Sequence, residues 1–480
     1  MRARIFAEEN RKWWTLGALC FALFMIMLDN TIVNVALPAI QHDLGISRSE
    51  LEWTVAAYAL TFASLLLTGG KLGDLFGRKR LFLVGVAIFT ASSLFCGLSS
   101  GAGELIAARA VQGVGAALMM PATLSIITAT FVPRERGMAI GIWAGVSAMA
   151  LAIGPLLGGI ITEHISWNWI FYVNVPIGVL GILTAIFVVP ESKDTSHEQR
   201  LDLPGLLSSG IGLLALIYAL IEGHAYGWSS GRIIGLFVVA AVALTVFVLL
   251  ELHQRIPMLD LSLFRNGTFA GANLVAILVT LAMFGIFVFF PIYMQTLRGW
   301  SPIQAGAALL PWTLMIVVLA PIAGKLSDKV GSRWLMAGGM TVVALCCLEL
   351  STVSLHSSFW HMLPGFVLGG IGMSFVMTPM SAAAMGAVSV DKAGVASGVL
   401  NTFRQVGVSL GIAVTGAIIT NRAAAAVHGG ADGPHAFVHG LTFAMRVSAA
   451  ICLGGALASV LLVRKYRHGD ETRAVAAEAA

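Results

Sequence analysis

Gly70-Lys71-Leu72-Gly73-Asp74-Leu75-Phe76-Gly77-Arg78 returns later in the chain as Gly324-Lys325-Leu326-Ser327-Asp328-Lys329-Val330-Gly331, with Arg333 close behind. Gly, Lys, Leu, Asp and Gly recur at identical spacing, 254 residues apart. Each copy follows a long apolar segment and precedes another, so both read as tight turns between membrane-crossing helices. Glycine permits a sharp turn, and the cations hold it on the cytoplasmic side of a bilayer. A chain that repeats such a turn on one side of a membrane is built from two parallel halves, as in transporters that rock around a central site.

Composition agrees with a membrane protein. Hydrophobic residues make up 58% and charged residues 11%, against roughly 45–50% and about 25% in soluble domains. Apolar windows long enough for the ~20 residues that a crossing helix needs can be placed fourteen times between residues 14 and 463. Only helices and closed barrels satisfy the backbone in lipid, and these windows have helical length. Of the 29 Lys and Arg, 22 fall on one side of this topology, 4 on the other and 3 inside spans. That asymmetry predicts a multi-pass protein of the cytoplasmic membrane with both termini inside.

The net charge of +5 is therefore positive-inside bias rather than a nucleic-acid footprint. All five cysteines lie within spans, so no disulfide framework is expected. The histidines are mostly scattered through outer segments without ligand spacing, so no metal site is expected. No Gly-x-x-x-x-Gly-Lys-Ser/Thr loop occurs, because Lys71 and Lys325 are both followed by leucine. This argues against nucleotide binding and an ATP-driven pump. No enzymatic site or cofactor is expected.

The first motif copy follows span 2 and the second follows span 10. Two spans, at about 203–252, are thus inserted between six-span halves. The expected division is 1–190 for the first half, 191–266 for the linker with two extra helices, 267–465 for the second half and 466–480 for a cytoplasmic tail.

Several further stretches carry a family likeness. Leu28-Asp29-Asn30-Thr31-Ile32-Val33-Asn34-Val35-Ala36-Leu37-Pro38 lies in span 1, and Arg109-Ala110-Val111-Gln112-Gly113-Val114-Gly115 in span 4. Gly154-Pro155-Leu156-Leu157-Gly158-Gly159 follows in span 5, and Trp169-Ile170-Phe171-Tyr172-Val173-Asn174-Val175-Pro176 opens span 6. Asn401-Thr402-Phe403-Arg404-Gln405-Val406-Gly407 lies in span 13. In order and spacing the chain resembles the fourteen-span drug:proton antiporters of the major facilitator superfamily over nearly its whole length. It departs at Asn168, where that family usually has arginine. The resemblance implies an all-α major facilitator fold and export of amphipathic drugs or antibiotics in exchange for protons. A transporter dedicated to one metabolite or antibiotic, and a proton-coupled nutrient symporter, are the alternatives.

Asp29 is the leading candidate for chemistry. A carboxylate at a helix centre costs about 2.5–3.5 kcal/mol on insertion scales, a cost that points to a function. Burial favours the neutral acid and a nearby cation favours the carboxylate. Such opposing influences let small rearrangements load and unload a proton. At about 1.5 Å per residue, Asp29 and Arg109 fall at similar depths of roughly 9 and 8 Å, and the resemblance implies that both helices line the central cavity, so a switchable ion pair between them is expected. The family resemblance assigns the arginine of this motif to proton transfer. Asp74 would sit at the start of a helix from the other half, by resemblance near Ala393–Ser397, and Asp328 would do the same reciprocally. With Gly70, Gly77 and Arg78 they form a candidate gate.

Gly145, Gly154, Pro155, Gly158 and Gly159 of span 5 resemble the antiporter motif, which implies a sealed helix interface. Asn30, Asn34, Phe287, Met377 and Arg404 are the weaker substrate-cavity candidates, since aromatic and thioether surfaces suit flat apolar molecules. The expected partners are a small amphipathic substrate, protons and lipid, with no nucleic acid, no nucleotide and a monomeric chain.

The topology is directly testable. In a cysteine-free background, single cysteines at Ser47 and Ser229 should react with an impermeant thiol reagent added to intact cells, and one at Ser196 should not. Labelling at Ser196 from outside would invalidate the fourteen-span arrangement.

Overall fold

The computed structural model describes residues 8–193, 202–254 and 257–464. Ser196, the tail at 466–480 and part of the linker after residue 193 lie outside the described residues. Fourteen helices among those described are long and apolar enough to cross a membrane. In chain order they are α1 (Glu8–Leu44), α2 (Arg48–Phe76), α3 (Arg78–Leu98), α4 (Ala102–Thr130), α5 (Pro133–His164), α6 (Trp169–Val188) and α7 (Leu203–Tyr226). There follow α8 (Gly231–His253), α9 (Gly267–Ile292), α10 (Ile303–Val330), α11 (Ser332–Leu350), α12 (Phe359–Gly386), α13 (Ala393–His428) and α14 (Gly433–Leu462). No strand occurs among the described residues.

The helix starts are set by ordinary capping chemistry. Ser47 and Glu50 form a reciprocal capping box, with Glu50 N–H donating to Ser47 Oγ at 3.3 Å and Ser47 N–H to Glu50 Oε2 at 2.8 Å. Asp202, Ser230, Asn266 and Asp432 each accept a backbone N–H at the start of a helix or helical turn. These side chains satisfy N–H groups that the helix itself leaves without an acceptor. Ser47 and Ser229 are both exposed.

Packing repeats eight helices on. In the first half α2 and α3 pack on α4, α1 packs on α5, and α6 packs on α1 and α3. In the second, α10 and α11 pack on α12, α9 packs on α13, and α14 packs on α9 and α11. The halves meet through α5 against α10 and α13 against α2, two contacts that exchange roles under the same repeat. The inserted α7 and α8 pack on each other, and α7 also rests on α2 and α13. This repeat, with two added helices, is the arrangement that the family resemblance leads one to expect.

The repeated motif is more helical than a turn. Residues Gly70–Phe76 belong to the last two turns of α2, and Gly324–Val330 to the end of α10. Each connection shrinks to one glycine that ends one helix and starts the next. Gly77 has φ +105° and Gly331 φ +87°, a region that residues with a side chain rarely adopt. Asp74 is thus a helix residue, 3% exposed, rather than part of a solvated loop.

Candidate functional site

Asp29 and Arg109 meet in the first half. Arg109 Nη1 donates to Asp29 Oδ2 at 2.6 Å, with the two side chains 1% and 0% exposed. Gln112 Nε2 donates to Asp29 Oδ1 at 3.0 Å, and Asn174 Nδ2 approaches the same oxygen at 3.4 Å. Arg109 also donates to Gln112 Oε1 at 2.8 Å and, through Nε, to the Thr54 carbonyl at 3.2 Å. Its guanidinium carbon lies 4.3 Å from the Tyr58 ring centroid and 5.9 Å from that of Phe171. Asn174 in turn donates to Ser93 Oγ at 3.1 Å.

This network draws on α1, α2, α3, α4 and α6. A buried ion pair tolerates loss of water only when its remaining donors and acceptors are satisfied, and here they are supplied from five helices. Gln112 has a double part: its amide donates to the carboxylate while its carbonyl accepts from the guanidinium. If Asp29 became neutral, Arg109 would keep the Gln112 and Thr54 oxygens as acceptors.

Asn30 and Asn34 make no hydrogen bond to Asp29 or Arg109 among the described residues. Their amides donate to Ile26 and Asn30 carbonyls of their own helix, at 2.9 and 3.1 Å. Gln112 and Asn174 occupy the places beside Asp29 instead. Arg109 and Gln112 are three apart on a helix and so share a face, a spacing from which the glutamine's part is readable. Nothing local signals the arrival of Asn174.

A second cluster joins the halves. Asp74 Oδ1 accepts from Gly394 N–H at 2.9 Å and Oδ2 from Val395 N–H at 2.8 Å. These are the second and third residues of α13, whose N–H groups have no acceptor within the helix. Arg78 donates to Asp74 Oδ1 at 2.9 and 2.6 Å and to the carbonyls of Val390 and Asp391 at 2.6 and 2.9 Å. Arg78 is 1% exposed. At the related position, Asp328 accepts from Gly137 and Met138 N–H of α5 at 2.9 and 3.2 Å.

Glycine makes both contacts close enough. A Cβ on Gly70 would strike the Gly394 carbonyl, and one on Gly324 would strike that of Gly137. Higher on α5, Gly145 lies against Val317 of α10, while Gly154 and Gly158 pack on Thr31 and Ile32 of α1. Gly159 faces open space and makes no such approach. The side chain of Pro155 lies outside the described residues.

The remaining candidates are dispersed. Phe287 of α9 packs edge-on against Trp312 of α10, with ring centroids 5.1 Å apart. Met377 is half-buried in α12. Arg404 Nη1 lies 3.5 Å from Asn401 Oδ1, and its guanidinium stands 6.0 Å from the Trp143 ring across the halves. Asn168, the departure from the family pattern, donates to the Gly97 carbonyl at 2.8 Å, alongside Tyr172 Oη at 2.7 Å.

Residues 19–412 and 274–476 match the family model described as Major Facilitator Superfamily. The chain belongs to the major facilitator superfamily. This facilitator is 36% identical over 476 residues to the puromycin resistance protein of Streptomyces alboniger, covering 97% of this chain and 94% of that one. It is 37% identical to the multidrug resistance protein Stp of Mycobacterium tuberculosis, over 84% of this chain and 75% of the relative. It is 34% identical to the methylenomycin A resistance protein of Streptomyces coelicolor, over 96% and 94% of the two chains. Among solved structures, the proton:xylose symporter XylE superposes with a TM-score of 0.69 over 96% of this chain and 97% of that chain. At 13% identity that likeness shows the fold alone.

The Asp74 contact predicts a shift in conformation. A charge on a partly buried helix N-terminus contributes up to ~2 kcal/mol, and a tenfold change in a two-state ratio takes about 1.4 kcal/mol. Asp74→Asn also leaves Arg78 buried without its carboxylate. Spin labels at Phe76 and Val390 should therefore report an open population about tenfold larger in Asp74→Asn than in the unmutated protein. An unchanged distance distribution would remove Asp74 from control of this closure.

Proposed function

We propose that this facilitator is a proton-driven antiporter that exports amphipathic drugs or antibiotics across the cytoplasmic membrane, with both termini on the cytoplasmic side. The observation that carries the reading is the fully buried Asp29–Arg109 pair. Its relatives include resistance proteins for puromycin and methylenomycin A and a tetracenomycin C resistance and export protein. Those names support export of antibiotics here. They also favour, as the second reading, a transporter dedicated to one such compound.

In this reading residues 1–190 and 267–465 are the two rocking halves, 191–266 brings in the added helices, and 466–480 is a cytoplasmic tail. The contacts of Asp74 and Asp328 close the cytoplasmic side, with Gly70, Gly77 and Arg78 shaping the first of them. Gly145, Gly154, Pro155, Gly158 and Gly159 belong to the helix that seals the path against proton leak. Asn30, Asn34, Phe287, Met377 and Arg404 are assigned to the substrate cavity.

The chemistry follows from the network. A proton from outside converts Asp29 to the neutral acid and removes one partner of the ion pair. Arg109 then leans on Gln112 and the Thr54 carbonyl, which frees α1 to move relative to α4. Release of the proton inside restores the pair. Each proton charge that crosses contributes about 2.3 kcal/mol per 100 mV, so no nucleotide is needed. The working unit is the single chain, with substrate, protons and lipid as its partners.

Replacing Asp29 by asparagine should abolish uphill efflux of a fluorescent amphipathic cation or antibiotic in everted vesicles, with normal expression. Asp29→Glu should retain part of the activity. Protonophore-sensitive uphill efflux by the Asn variant would assign the proton to another group.

A further inference from the structure

Two carboxyl groups outside this network are buried against each other where the inserted helices meet the end of the molecule that carries the glycine turns. Glu251 closes α8 and is 5% exposed; Asp202 starts α7 and is 8% exposed. Glu251 Oε2 accepts the Leu259 N–H at 2.9 Å. Asp202 Oδ1 accepts the Gly205 N–H at 2.9 Å and Gln254 Nε2 at 3.0 Å. The second oxygens, Glu251 Oε1 and Asp202 Oδ2, have no hydrogen-bond donor among the described residues. Both lie against the open side of Gly205, and the two carboxyls are within hydrogen-bonding reach of each other.

An ionised carboxylate only accepts hydrogen bonds. As two carboxylates, this pair would bury two unsatisfied oxygens and set like charges side by side, each a costly arrangement. One proton between them supplies a donor to one oxygen and an acceptor to the other. We propose that Glu251 and Asp202 form a proton-binding site, separate from Asp29, that couples proton occupancy to the contact between α2 and α13.

The connection runs through the segment after α8. Leu259, held by Glu251, adjoins Asp260, which pairs with Lys392 Nζ at 2.7 Å. Lys392 immediately precedes α13, whose first N–H groups bind Asp74. Lys71, next to Gly70 on α2, donates to the Pro257 carbonyl at 3.3 Å. Burial pushes the Asp260 carboxyl up, but its bonds with Lys392 and Ser262 outweigh this and hold it below the usual range. Asp260 thus stays charged and transmits without titrating. Among the described residues, the titratable and charged groups that act on Glu251 are Asp202 from α7 and Lys71 from α2. The site is loaded at low pH. As pH rises the proton leaves, the two carboxylates repel, and the segment that holds Lys71 and Lys392 loosens.

The test is infrared pH-difference spectroscopy on the full chain in lipid nanodiscs, with thermal unfolding to establish folding. A carboxylic-acid C=O band that disappears as pH is raised should be present in the unmutated protein and in Asp29→Asn. It should be lost in Glu251→Gln and in Asp202→Asn, because either amide provides the missing N–H and leaves the other carboxyl ionised. Asparagine keeps the start of α7 capped, so Asp202→Asn serves if Glu251→Gln does not fold. Spin labels at Phe76 and Val390 should widen with rising pH in the unmutated protein and lose that dependence in both variants. A band that persists in the folded variants overturns the proposal. So does sodium-dependent stabilisation without an acid band, which would make the pair a cation site.

Discussion

The halves of this molecule are held together by carboxylates laid on the N-terminal turns of helices from the opposite half. Asp74 meets α13 and Asp328 meets α5. The interaction depends on close approach: the carboxylate reaches two N–H groups only because Gly70 and Gly394 on one side, and Gly324 and Gly137 on the other, leave no side chain between the backbones. Gly394 and Val395 open α13 and have no acceptor within the helix, so Asp74 supplies one; Gly137 and Met138 lie a turn further into α5, where Asp328 is an additional acceptor. A carboxylate at a partly buried helix N-terminus contributes up to ~2 kcal/mol.

The two aspartate–arginine pairs work under different conditions. Asp29 and Arg109 are enclosed within one half and tied into five helices, so the pair can change state only by a change of charge or a rearrangement of that bundle. Asp74 and Arg78 lie on α2 and α3, on either side of the Gly77 turn, and both reach across to the other half. Their partners include backbone groups of α13 and of the residues just before it. The contact thus ties charged side chains of one half to a helix start of the other.

The inserted helices are more than filler in this arrangement. Their buried carboxyls, Asp202 and Glu251, sit where the segment leading to α9 passes between α2 and the start of α13. The insertion thus touches the contact between α2 and α13.

Much of the fold is legible in the residues themselves, because membrane insertion is governed by the transfer free energy of each contiguous segment and side preference by its flanking cations. Span number, the internal repeat and the singular cost of Asp29 and Arg109 all follow from that local chemistry. The boundaries are less legible: α2 and α10 run through the repeated motif to Phe76 and Val330, since backbone helicity can extend beyond the apolar window. Partnership is not local at all. Asp74 finds N–H groups 320 residues away, Asn174 reaches Asp29 from another helix, and Asp202 and Glu251 converge only because α7 and α8 pack together. The sequence by itself determined which segments cross the bilayer and which residues are costly inside it. Only the tertiary structure decided what satisfies them, because a buried polar group is met by whichever distant helix the packing brings within 3 Å.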